Sequence, residues 1–101
     1  MYWETWRREP FEGKVCNANG GTHAHNSMNV QSIKVHGFPA FDYIRDHSKW
    51  GVSADSSQPW VCVGDMNRMP SQLQRGGTAT CFKSSPLWVG FRKAIDAADS
   101  C

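Results

Sequence analysis

Two stretches of this chain hold side chains with chemical potential: Asp46-His47-Ser48-Lys49-Trp50, and Trp60-Val61-Cys62-Val63-Gly64-Asp65-Met66-Asn67-Arg68. The first sets an imidazole and an ammonium two positions apart. On an extended strand such positions point to one face, so His47 and Lys49 project together while Ser48 turns away. The second reads as a short apolar strand that stops at Gly64 and then offers Asp65, Asn67 and Arg68. A histidine to attack or shuttle protons, a lysine for anionic oxygens and a carboxamide as neutral donor are what a phosphodiester requires. His-x-Lys alone is a weak signal, since the pattern arises by chance.

These groups must be positioned by a small scaffold. The chain has 101 residues, enough for one domain. Such a chain buries a modest fraction of its surface and gains from covalent staples. With 40% hydrophobic residues and five Trp, it has the material for a core and lacks the composition of a disordered chain. Its net charge of +2 is too small to predict nucleic-acid binding by itself, and its four His add positive charge in acid. No stretch approaches the apolar length of a membrane span. Residues 1–8 lack a charged segment followed by an apolar one, so no signal peptide is expected there.

Cys16, Cys62, Cys81 and Cys101 contain no C-x-x-C pair, and zinc-type spacing is absent. Four cysteines allow three pairings. One is nested, Cys62 with Cys81 inside Cys16 with Cys101. Closing an inner loop of about 20 residues contributes roughly 3 kcal/mol on the chain-entropy model. The outer bridge would tie down a terminus that otherwise frays. Such bridges imply an oxidising compartment; the alternative is four reduced, partly buried thiols.

The elements follow in order. Residues 2–8 alternate aromatic and polar side chains and read as an edge strand ended by Pro10, with Arg7 and Arg8 on a solvated rim or facing a polyanion. Residues 12–29 are a polar, glycine-rich loop. His23 and His25 within it could ligate a metal, but no third ligand stands near, and no metal is expected. Residues 30–35 read as a strand, followed by a structural His36. Phe38 and Phe41 read as a buried aromatic pair at a turn. The stretch 50–52 and the buried run 60–63, joined by a turn at 55–59, read as a hairpin or as neighbours in one sheet, and either brings Asn67 near His47 and Lys49. Residues 69–80 form a polar loop. Backbone N–H groups around Gly76 and Gly77, beside Arg75, can receive an anion, or the loop is plain surface. Ser85 reads as the cap of a helix with Pro86 in its first turn. Leu87, Trp88, Phe91, Ile95 and Ala98 form its core stripe, with Arg92, Lys93, Asp96 and Asp99 facing water. One helix over a small sheet predicts an α+β fold, or half of a layered α/β fold.

Five motifs then agree in order and spacing along nearly the whole chain. They are Thr5-Trp6-Arg7-Arg8-Glu9-Pro10, the two stretches above, Gln74-Arg75-Gly76-Gly77 before Cys81, and Leu87-Trp88 in the last helix. Together they resemble the C-terminal part of deoxyribonuclease II. That resemblance implies half of a phospholipase D-like fold, with residues 1–101 as a single partial domain. It implies cleavage of DNA in acid without a metal or cofactor, leaving 3′-phosphates. His47, Lys49 and Asn67 would be catalytic by motif match, and Arg68, Arg75, Gly76 and Gly77 would contact substrate. The cysteines match the family's bridges in the nested pairing, and the family implies lysosomal or secreted residence. Asp65 stands where the wider superfamily has a small residue. The superfamily's aspartate would fall at Ala54, with Asp55 one place late. Family members are several times longer and bring two histidine motifs to one site, whereas this chain has one. The resemblance therefore implies a missing N-terminal half or a homodimer as partner besides DNA. The competing expectation is a catalytically silent, disulfide-stapled DNA-binding or interaction module.

Overall fold

The computed structural model describes residues 1–8, 13–17 and 25–101. Its frame is a mixed sheet of short strands: β1 (Tyr2–Glu4), β2 (Met28–Ile33), β3 (Phe41–Asp42), β4 (Trp50–Val52), β5 (Trp60–Gly64), β6 (Ala79–Lys83) and β7 (Ile95–Ala98). One helix, α1 (Ser85–Ala94), joins β6 to β7. The sheet order is β3-β2-β1-β4-β5-β6, with β7 also pairing β2. Among the described strands only the β1–β2 pair is parallel.

The hairpin of β4 and β5 follows the alternation in sequence, with Trp50 opposite Val63, Gly51 opposite Cys62 and Val52 opposite Val61. Asp55 shapes its turn by accepting from the Ser57 N–H at 2.8 Å. Successive residues of a strand face opposite sides. Trp50, Val52 and Val61 therefore share one side, where they join Val30 and Ile33 in the buried core. Trp88, Phe91, Ala94 and Ile95 pack against this core from the helix and its exit. Trp88 also locks the helix to the end of β4, its indole N–H donating to the Ser53 carbonyl at 3.0 Å and hydroxyl at 2.9 Å.

Several expectations are corrected. The first strand is central, between β2 and β4, and shorter than residues 2–8. Aromatic alternation does not distinguish an edge from a middle position; the Pro10 stop lies outside the described residues. Arg7 is buried and donates to the Val30 carbonyl at 2.6 Å, with its guanidinium 4.2 Å from the Tyr43 ring centroid. The second strand runs two residues earlier than 30–35, leaving His36 exposed and Phe38 67% exposed. Gly37, with φ of 83°, makes the turn there. Trp60 and Val63 stay 39% and 44% exposed, so only Val61 and Cys62 are buried in that strand.

The helix departs most. Its cap is Ser84, whose hydroxyl accepts from the Leu87 N–H at 3.5 Å, one place before the expected Ser85. Leu87 is 49% exposed and no helix residue is fully buried. The helix ends at Ala94, and residues 95–98 pair with β2 instead. An open strand edge offers a full set of backbone partners, which outweighs local helical preference. Asp96 and Asp99 are correspondingly tied down: Asp96 accepts from the Ser32 hydroxyl at 2.8 Å, and Asp99 from the Gln31 amide at 2.7 Å. Disulfides join Cys16 to Cys101 and Cys62 to Cys81. The outer one fastens the segment after β7; the inner one bridges β5 and β6 at directly opposed positions.

Candidate functional site

The stretch carrying His47 precedes the regular strand. A 3-10 turn, Tyr43–Arg45, delivers the chain to Asp46. The Asp46 carboxylate then accepts from the Ser48 N–H at 2.9 Å and the Ser48 hydroxyl at 2.7 Å, closing a local turn. The Trp50 indole N–H donates to the same hydroxyl at 3.1 Å. Ser48 is thus a brace, and the regular strand expected through residues 47–49 begins only at Trp50, just after Lys49. There the Gly64 N–H donates to the Lys49 carbonyl at 3.0 Å, one step beyond the β4–β5 ladder.

His47 is exposed at this corner. Its imidazole stacks on Trp6, with ring centroids 4.6 Å apart and planes 28° from parallel. Trp6 is itself held, its indole N–H donating to the Ile44 carbonyl at 2.9 Å, and the Arg8 guanidinium lies 4.8 Å from its ring centroid. The Lys49 ammonium reaches back to the His47 backbone carbonyl at 2.7 Å. An ammonium has three donors, so others remain for an anion. The ammonium is thereby held at the His47 backbone, while the imidazole rests on Trp6.

Lys49 also lines a pocket of about 340 Å³, whose described walls include Trp3, Gly64, Met66, Arg68 and Gly77. By strand alternation Lys49, Gly51, Gly64 and Ala79 lie on the side of the sheet opposite the helix. Close approaches define the pocket's rim. At Gly77 a Cβ would stand 2.2 Å from the Met66 side chain and 2.8 Å from Asp65 Oδ1. Asp65 Oδ1 accepts from the Thr78 N–H at 3.0 Å and the Asp65 N–H donates to the Thr78 carbonyl at 3.3 Å, closing the base of the 65–78 loop.

The remaining site residues divide. Arg75 clamps its own loop, donating to the Asp65 carbonyl at 2.8 Å, the Gly76 carbonyl at 3.0 Å and the Gln72 amide oxygen at 3.1 Å. Arg68 lines the pocket and donates to Asn29 Oδ1 at 2.7 Å and the Gly13 carbonyl at 3.2 Å. Gly76 stands in open space. Asn67 lies between two pocket-lining neighbours, Met66 and Arg68, and its Oδ1 is buried with no hydrogen-bond partner among the described residues. A buried carboxamide edge left unpaired is costly unless a ligand completes it. Neither His47 nor Asn67 lines the pocket itself; Lys49 links it to the His47 corner.

Sequence reasoning missed two neighbours. Trp6 orients His47 across a sequence distance no motif spans. Glu4 is fully buried, both carboxyl oxygens lacking a hydrogen-bond partner among the described residues. Burial pushes its carboxyl up to about 8, against the opposing pull of Arg7 and with a further push from Asp46. The expected His23–His25 pair lies partly outside the described residues; His25 is exposed. Among the described residues no three His, Cys, Asp or Glu side chains gather as metal ligands, and no helix is long and apolar enough to cross a membrane.

This constellation has relatives. Deoxyribonuclease-2 of Caenorhabditis elegans is 46% identical over 101 residues, which cover 97% of this chain and 24% of the relative. Deoxyribonuclease-2-alpha of Rattus norvegicus is 38% identical over 96 residues, covering 95% of this chain and 26% of the relative. Plancitoxin-1 of Acanthaster planci is 31% identical over 108 residues, covering 100% of this chain and 27% of the relative. The chain spans about a quarter of the length of these relatives. No solved structure matches it significantly. The family model described as Deoxyribonuclease II matches residues 1–101, the whole sequence, and the chain therefore belongs to the deoxyribonuclease II family.

Proposed function

We propose that His47, Lys49 and Asn67 supply half of a site that hydrolyses DNA phosphodiesters in acid, without a metal, leaving 3′-phosphates. The observation that carries this reading is the exposed His47 imidazole, stacked on Trp6 and linked through its own carbonyl to an ammonium that lines a pocket. Family membership supports DNA as the substrate.

The chemistry needs two imidazoles. One attacks phosphorus, forming a P–N bond as the bond to the 5′ oxygen breaks. The second, protonated, gives its proton to that oxygen. The second, now neutral, takes a proton from water, whose oxygen attacks phosphorus and releases the first. Lys49 and Asn67 stabilise the non-bridging oxygens, the carboxamide through its N–H edge. Which part His47 plays depends on the other imidazole.

This chain offers one His-x-Lys, so the second comes from elsewhere in a longer protein or from another copy across a twofold axis. Residues 1–101 then form one part of a phospholipase D-like site. Two disulfides fit a lysosomal or secreted setting.

Plasmid nicking in chelator at about pH 5, where imidazoles are largely charged, tests the reading alongside mass in solution. Nicking by a species of twice the chain's mass, lost in His47→Ala, supports it. Nicking by the single chain, or nicking indifferent to His47→Ala, overturns it. A chain that binds DNA but stays single and silent excludes the two-copy site and leaves a second histidine from a longer protein or the disulfide-stapled binding module, the reading favoured by its lone His-x-Lys.

A further inference from the structure

We infer that the pocket beside Lys49 receives an unstacked nucleobase of the DNA strand being cut, with the Trp3 indole as its stacking wall. This rests on the reading of Lys49 as a phosphate ligand.

Trp3 sits in the middle of the sheet, directly opposite Gly51. A Cβ on Gly51 would stand 2.4, 2.6 and 2.9 Å from three atoms of the indole's six-membered ring. The ring therefore lies across bare backbone, and any side chain at position 51 would displace it. A tryptophan in a central strand is normally sealed under another layer. Trp3 is only half-buried, on the side opposite the helix, and it lines the pocket.

The pocket's chemistry is split in the same way as a nucleotide. The Trp3 ring, the Met66 thioether and Ala79 give apolar walls, while Lys49 and Arg68 add cations and Thr5 and Thr78 add polar groups. A volume of about 340 Å³ lies at the small end of ligand pockets, suited to one ring system. A single sugar separates a base from its phosphate, so a phosphate at Lys49 brings its base within reach of this wall. Aromatic stacking tolerates every base, so the Trp3 wall itself needs no hydrogen-bond code. A base can enter only after leaving the duplex stack, so single-stranded or locally opened DNA is the preferred ligand.

Thymidine 3′- and 5′-monophosphates test this without cleavage, each compared with the matching abasic deoxyribose phosphate and with inorganic phosphate. Binding is read by NMR titration, following the Trp3 indole N–H. One of the nucleotides should bind about tenfold or more tightly than its abasic counterpart and shift the Trp3 signal. Trp3→Leu should erase that difference. Equal binding of nucleotides and abasic phosphates to the unaltered chain overturns the subsite, whether or not Trp3→Leu folds. Inorganic phosphate binding that is indifferent to Lys49→Ala sinks the phosphate reading itself, a separate result from loss of base preference.

Discussion

The two sides of this sheet use the same strands for opposite ends. On the helix side, Trp50, Val52 and Val61 are sealed under Trp88 and Phe91. On the other side, Gly51 lies against the Trp3 ring and Cys62 is buried in its disulfide to Cys81, while Lys49, just before the strand, lines the pocket. Alternation thus lets one strand stabilise the fold and present chemistry at once. Large apolar groups fill the closed side, where contact area is the currency of stability. Glycines mark the open side, where backbone must approach Trp3 at position 51 and the 65–78 loop at position 64.

If the sides are truly divided, changes on each should register in different measurements. The largest effect belongs to the open side. His47→Ala should lower DNA nicking by roughly 10²–10⁴-fold, the usual worth of a histidine acting on a proton or as nucleophile. It should alter the urea midpoint little, because His47 is exposed and makes one ring contact. Ile33→Ala is the converse. Ile33 is buried in the core cluster, and its truncation should cost about 2–5 kcal/mol in urea unfolding. Nicking per folded molecule should stay level. A core substitution that abolished cleavage in the folded fraction would show that the two sides are coupled.

Local pattern made part of this legible. The β4–β5 hairpin could be read because its two strands are close in sequence and both alternate. His47, Lys49 and Asn67 could be put forward as candidates because motif spacing is read without a fold. What could not be read depends on partners distant in the chain. Residues 95–98 continue a helical stripe, yet they fold as a strand because β2, over sixty residues earlier, leaves an edge open. Arg7 looks like a surface cation until the Val30 carbonyl and Tyr43 ring surround it. Trp6 belongs to an early motif with no sign that it would meet His47. Burial of charge and stacking between remote segments are tertiary facts that no local period encodes.

The inner disulfide refines the comparison. Cys62 and Cys81 lie on the side away from the helix, since Cys62 is opposite Gly51. Replacing both by alanine should cost about 3 kcal/mol on the chain-entropy account, for a bridge spanning 19 positions. Urea unfolding would register it. The core should remain packed, so near-ultraviolet circular dichroism of the folded state should change little. Loss of that signal would mean that the open side helps hold the closed one together.

Glu4 supplies the finest test, because it places a titrating group among apolar neighbours on the sealed side. It lies opposite Trp50 in the sheet, and burial raises its carboxyl from 4.5 to about 8. Arg7 opposes this shift and Asp46 adds to it. The folded chain therefore holds a proton that the unfolded chain releases at lower pH. Its stabilising effect is complete below about 4.5 and is lost as pH climbs toward 8. Within that window stability should fall by up to about 1.4 kcal/mol per pH unit. Glu4→Gln keeps the shape and removes the charge, so its urea midpoint should vary less with pH and exceed the unaltered chain's near pH 8. Parallel curves for the two proteins would mean that Glu4 is already ionised in the folded state. A flattened curve would give the sealed side its own reason to favour acid, independent of the imidazole chemistry proposed for the open one.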